Sequence, residues 1–303
     1  MLTLKYNAKR VDIVLQGLLS EVRKSARYFE AHHYPKTYRL LLSLAEKIDE
    51  HNGRFDDTLS QELVLLPNTF KEEYELIIPF GQDYRKRCFE ETWLIVISAM
   101  NVAENKQEEL LAETNSFMKQ MHQVKRDMAP SAGLMMKLYG KTKRSGQEGL
   151  LMFRLACDEY EQAMEGVFNH LTKTLCVFIE ILSGNNPDYK EINKAKPYRI
   201  RDALKQIFGV SPVFLENFDE QKAIRNAIAH SQAKFFPKEN KARFFTLDEN
   251  DKTKILYDKT MTFEDFFNIY MQLVDAIDSF YYAIELVRDM IFLVTVHSHR
   301  DAT

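Results

Sequence analysis

One short run holds residue types able to do chemistry at a useful spacing: Arg225-Asn226-Ala227-Ile228-Ala229-His230. Histidine titrates near neutrality and can pass protons in both directions. Arginine keeps its charge and grips oxyanions through a planar fork of donors. On a helix, residues four apart share a face, whereas residues five apart diverge by about 140°. Asn226 and His230 therefore stand together, and the long Arg225 side chain must reach around the helix to join them. The set suits proton transfer beside a developing negative charge, and it is easier to complete where two such helices meet across a two-fold axis. A plainer reading stays open: an ordinary helical turn, with His230 half-buried and satisfied and Arg225 in a surface ion pair.

Spacing alone does not decide between these readings. With 16 arginines and 8 histidines in 303 residues, about 0.4 chance pairs at this separation are expected. A second pair exists, Arg27-Tyr28-Phe29-Glu30-Ala31-His32, with no polar residue after Arg and with bulky aromatics between. It serves as an internal control.

Other chemistries have little to stand on. Cys88, Cys157 and Cys176 are too few and too scattered for a disulfide framework or a zinc site. No glycine-rich phosphate loop, HExxH or GxSxG run occurs, so no cofactor and no metal is expected. His32 and His33 are adjacent and point to different helix faces. The net charge of −3 offers no global attraction to nucleic acid or membrane. The start of the chain shows no leader pattern. The longest uncharged apolar stretch, Thr92 to Ala103, falls well short of the roughly 20 residues a membrane span needs. A soluble cytoplasmic protein without membrane contact is expected. Local basic stretches remain, Lys137 to Arg144 and Lys190 to Lys205. Lys194, Lys196, Arg199 and Arg201 form a candidate RNA track, with a solvated helix face as the plainer alternative. Tyr189, Tyr198 and Phe214 are either base-stacking groups or core.

These residues need elements to position them, and the composition says which kind. Only 10 glycines and 8 prolines punctuate the chain, so long helices rather than many short strands are expected. Apolar periodicity predicts helices over 8–34, ended by Pro35, and over 37–50, ended by Asn52-Gly53. The stretch 55–79 is ambiguous between strand and helix. A buried helix around Trp93 is predicted for 83–105. A coiled-coil-like stripe follows, Leu110, Phe117, Met121, Val124 and Met128, closed by Pro130. Residues 137–149 mix Gly, Ser and basic residues and offer a boundary between an N-terminal helical region, 1–144, and a C-terminal domain, 145–303. The second half opens on one long helix, 150–183, closed by Gly184-Asn185-Asn186-Pro187. A short helix over 200–208 ends at Gly209, Ser211-Pro212 opens another turn, and Asp219 caps the helix that carries Arg225 to His230. Phe235-Phe236-Pro237 with the pair 242–247 and 253–258 reads as a β-hairpin insertion, and a capping box at Thr262 and Asp265 precedes a final long helix.

The motif, set in a helix after an all-helical run and before a hairpin and a long terminal helix, resembles the HEPN superfamily over roughly 145–298. The resemblance implies an all-α bundle with a small hairpin insertion. It implies a homodimer whose two motifs, each Arg225, Asn226 and His230, build one composite cleft. The implied activity is a metal-independent endoribonuclease, a toxin or phage-defence effector acting on RNA and held by a protein partner or antitoxin. In that chemistry a base takes the ribose 2′-OH proton, the freed oxygen attacks the adjacent phosphorus, and an acid protonates the leaving 5′-oxygen. Some members are noncatalytic scaffolds or substrate-binding modules. In that case the stripe from Leu110 to Met128 would bind a protein partner.

Overall fold

The computed structural model describes residues 23, 35–50, 61–62, 65–66, 68–69, 72, 82–103, 107–141, 145–192, 197–209, 212–248, 250–251 and 253–298. The predicted helix over 8–34, the Arg27–His32 control and His33 lie outside this set, apart from the helical Arg23. The described residues are mostly helical and include one three-stranded antiparallel sheet. Among the described residues no helix is long and apolar enough to cross a membrane.

Two compact units interleave along the sequence. Residues 1–112, 181–186 and 279–303 form the first, and residues 113–180 and 187–278 the second. The expected boundary at 144/145 falls inside the second unit. In the first unit, α1 (Pro35–Glu50) buries Leu41, Leu44 and Ala45. Pro35 opens this helix, where its missing N–H costs nothing. The described residues between 61 and 72 are helical, with Leu66 buried. Helix α2 (Gln82–Val102) buries Ile95, Val96, Ala99 and Met100, while Trp93 stays half-buried and stacks on Phe89 at 6.1 Å.

The second unit starts within α3 (Gln107–Tyr139), which runs through Pro130 rather than ending there. The reason is the stripe beyond the proline. Met135 and Leu138 are buried as Met121 and Met128 are, at about 1.5–3 kcal/mol for each large apolar side chain. That offsets the roughly 3 kcal/mol a helical proline costs. Ser145 and Glu148 form a reciprocal capping box that starts α4 (Gly146–Gln162). The single long helix expected over 150–183 is interrupted. A π-helical turn, Ala163–Phe168, separates α4 from α5 (Asn169–Leu182), which ends at Gly184 with φ of 77°. Gly166 in that turn lies so close to α3 that an added Cβ would come within 2.8 Å of Val124.

Short α6 (Tyr189–Ile192) and α7 (Pro197–Phe208) follow, the latter stopping at Gly209 as expected. A 3₁₀ turn, Val213–Leu215, then leads into α8 (Phe218–Ala229). Asp219 is not its cap: Asn217 holds that position, its side-chain amide donating to Gln272 at 3.4 Å rather than capping the helix, and Asp219 lies in the first turn paired with Arg201. The expected hairpin is a three-stranded meander, β1 (Ala233–Phe236), β2 (Lys241–Leu247) and β3 (Ile255–Thr262), in the order β1-β2-β3. Registers run from Ala233↔Phe244 to Phe236↔Lys241 and from Lys241↔Thr262 to Leu247↔Ile255, with a bulge at Thr246/Leu247. Asn240 turns the chain between β1 and β2 at φ of 50°, a conformation asparagine tolerates. The capping box of Thr262 and Asp265 is present and starts α9 (Phe263–Ser298).

Aromatic rings fill the core of the second unit. Phe153 stacks on Phe235 at 5.0 Å, Phe244 meets Phe266 at 4.8 Å, and Tyr160 meets Phe266 at 5.6 Å. The sheet therefore covers one helical face, with Ala242, Phe244 and Met261 inward and the alternate residues outward.

Candidate functional site

Helix α8 presents the motif because its buried residues, three apolar and one polar, recur every third position. Phe218, Gln221, Ile224 and Ala227 are buried, which leaves Lys222, Arg225 and Asn226 toward the surface. The buried Tyr160 hydroxyl donates to the Gln221 carbonyl at 3.1 Å, which pins the turn just before Arg225 to α4. Burial pushes the Tyr160 hydroxyl well above its usual range, so it stays a donor. Lys259 on β3 pairs with Glu220 and ties the start of α8 to the sheet.

The helix ends one residue before His230. The His230 amide still bonds back to the Asn226 carbonyl at 3.0 Å, so the two residues keep their shared face. Ser231 then takes a left-handed φ of 56°, its N–H reaching the Ile228 carbonyl at 2.9 Å while the Gln232 N–H reaches that of Ala227 at 2.6 Å. This is a Schellman ending with serine where glycine is usual. His230 is exposed, not half-buried, and its imidazole has no hydrogen-bond partner among the described residues.

Arg225 is held from two sides. Its Nη1 donates to Asn226 Oδ1 at 2.9 Å, and its Nη2 pairs with Glu165 of the π-helical turn. Asn226 thus orients the guanidinium rather than the imidazole. The Arg225 side chain also lines a cleft of about 360 Å³ between α8 and the π-turn, with Lys222, Glu165, Asn169, Met164, Phe168 and Phe218. Phe168 and Phe218 stack at 5.9 Å and form its apolar floor. Neither Asn226 nor His230 lines it. Within one chain, Arg225 and Asn226 are therefore brought together, while His230 stands past the helix end.

Next to this cleft lies a wider acidic groove of about 520 Å³, lined by Asp127, Asp158, Glu161 and Glu165. Glu165 borders both. On α4 itself, Glu159 is buried and accepts a bond from Ser131, while its Oε2 has no hydrogen-bond partner among the described residues. Burial raises its pKa. Among the described residues no group of three or more His, Cys, Asp or Glu is arranged to hold a metal ion.

The candidate RNA track fares unevenly. Lys194 and Lys196 lie outside the described residues, and Arg199 is in α7 with its side chain outside them. Arg201 is committed to Asp219 at 3.1 Å and Asp202 at 3.6 Å, and its bond to Asp219 raises its pKa. Phe214 is buried and belongs to the core, so it is no stacking group. The sequence reading missed Glu165, Lys222 and Asn169. Lys222 was legible as the neighbour three residues before Arg225; Glu165, sixty residues away, carried no local signal.

No family model matches this chain, no curated protein matches it, and no solved structure matches it.

Proposed function

We propose that the chain is a metal-independent endoribonuclease of the HEPN type, acting as a homodimer and serving as a toxin or phage-defence effector. The observation that carries this reading is on α8: a guanidinium oriented by Asn226, with an exposed imidazole beyond it that its own chain leaves unengaged among the described residues. Such an imidazole is ready to exchange protons with a substrate. Two α8 helices facing each other would bring the histidine of one chain toward the arginine of the other.

In the cleavage step a His230 imidazole takes the proton of a ribose 2′-OH, and the oxygen attacks the adjacent phosphorus. The P–O5′ bond breaks, giving a 2′,3′-cyclic phosphate, and the imidazolium of the second copy returns a proton to the 5′-oxygen. Arg225 holds the nonbridging oxygens as charge builds on them. DNA lacks the 2′-OH and is no substrate for this step.

A second reading, a noncatalytic HEPN-like scaffold working through a protein partner, draws support from Glu165. It already neutralises Arg225, as a merely structural arginine would be neutralised. Incubating the purified protein with total RNA, with and without EDTA, separates the two. Cleavage that persists in EDTA and disappears in His230→Ala supports the enzyme. No cleavage, or cleavage that needs added magnesium, overturns it. Sedimentation showing a monomer at micromolar concentration removes the composite site.

A further inference from the structure

The cleft beside Arg225 has the makings of an oxyanion seat, and one side chain of the protein already occupies it. Lys222 and Arg225 lie one turn apart on the same side of α8 and bring two positive charges to the rim. The Lys222 ammonium has no ion-pair or hydrogen-bond partner among the described residues, and neither has the Asn169 side-chain amide. Two donors thus stand idle beside a third. The third, the Arg225 guanidinium, is held in orientation by Asn226 at 2.9 Å and capped by the Glu165 carboxylate. That carboxylate offers the guanidinium anionic oxygen, as one O–P–O edge of a phosphoryl group would.

Glu165 reaches Arg225 from an unusual piece of backbone. The six-residue π-turn interrupts an otherwise α-helical run from Gly146 to Leu182. Such turns are rare within α-helices and recur at functional sites. This one supplies Glu165 and Phe168 to the cleft, and Asn169 follows it directly. The Glu165 side chain is 45% exposed and that of Arg225 33%, so the pair is open to competition from solvent.

We propose that the cleft is a latent phosphoryl-binding site and that Glu165 is its built-in guard, displaced when a phosphoryl oxyanion takes Arg225 together with Lys222 and Asn169. This rests on the phosphate role given to Arg225 above and adds a control over it. Removing the guard's charge frees the seat. Because a part-exposed ion pair is weak, the gain is modest, about fivefold in affinity.

The test uses the full chain and two probes, inorganic pyrophosphate and an RNA oligonucleotide made uncleavable by 2′-deoxy substitution, with circular dichroism to confirm folding. Glu165→Gln is expected to bind tighter than wild type. The gain should vanish in the Glu165→Gln, Arg225→Ala double variant. Glu161→Gln makes the same charge change in the neighbouring acidic groove and should show no gain. A gain with both probes assigns the seat to RNA backbone phosphate; a gain with pyrophosphate alone assigns it to a free phosphate ligand. No gain in Glu165→Gln with either probe, an equal gain in Glu161→Gln, or a gain that survives loss of Arg225 overturns the guard. RNA cleavage assayed beside binding keeps the two proposals apart. Cleavage abolished by His230→Ala but unchanged in rate and affinity by Glu165→Gln sinks the guard and leaves the ribonuclease. An Arg225-dependent gain in pyrophosphate binding without any cleavage does the reverse.

Discussion

Replacing His230 with alanine should destroy activity and leave the fold untouched. The side chain is exposed, makes no hydrogen bond among the described residues, and sits past the last helical residue. The bonds that end α8 all run between backbone groups, from His230, Ser231 and Gln232 to Asn226, Ile228 and Ala227, and survive the change. A surface substitution of this kind stays within about 0.5 kcal/mol. In a unit of this size that is a melting shift of about 1–2 °C. Losing a proton-transfer group costs about 10²–10⁴-fold in rate, or roughly 3–5 kcal/mol of transition-state stabilisation. Arg225→Ala differs because it strips partners from Glu165 and Asn226. It should lower stability by up to about 1 kcal/mol and cut the rate about 10²–10³-fold. Asn226→Ala should lose less, since Asn226 orients Arg225. His32→Ala, in the control pair, should cleave as wild type does. Thermal melts by circular dichroism and cleavage of a fluorophore-quencher RNA measure both quantities on the same samples. If His230→Ala keeps its activity, or loses it equally with His32→Ala, the site is misassigned. If it unfolds, the exposed placement of His230 is wrong.

Glu159→Gln should stabilise the protein at pH 8, because burial raises the pKa of this carboxyl and the neutral amide avoids the cost of holding its charge there. A raised folded-state pKa means the wild-type group contributes fully only below its unfolded value, about 4.3, and its contribution fades as pH rises through the folded one. The variant's advantage should therefore shrink toward pH 4 in urea titrations; a constant advantage would contradict the buried acid. Gly166→Ala should cost about 1–3 kcal/mol, since its new Cβ would meet Val124 at 2.8 Å; an unchanged urea midpoint would show that the helices part freely. Ser145→Ala should cost about 1 kcal/mol through loss of the capping box, and a loss near zero would mean the end of α4 frays regardless. Neutralising Lys194, Lys196 and Arg199 should flatten the salt dependence of RNA binding, by up to about 0.7 in slope for each single-strand phosphate that is no longer neutralised. Adding Arg201→Gln should flatten it little further, because Arg201 is already paired. An unchanged slope for the triple variant makes those residues a solvated face.

Much of this protein was written in local sequence. Scarce glycine and proline and long apolar stripes specify helices, and Gly184, Gly209 and the Thr262–Asp265 box mark their ends because such signals act within one turn. The Ser145–Glu148 box was equally legible and went unread. The spacing of Arg225, Asn226 and His230 likewise follows from helix geometry alone. Tertiary structure decided the rest. Pro130 stays helical because Met135 and Leu138 beyond it are buried, which no local propensity reveals. The π-turn breaks an uninterrupted helical pattern, and at Gly166 it passes so close to Val124 that a side chain there would collide. Phe235 and Phe236 were legible as part of the β insertion, but that Ala233–Phe236 forms a third strand, in register with β2, is set by the pairing. The electrostatics of the site were the least legible. An ion pair for Arg225 was one open reading of the sequence, but its partner was not legible there: Glu165, sixty residues earlier, is carried to it by packing between helices.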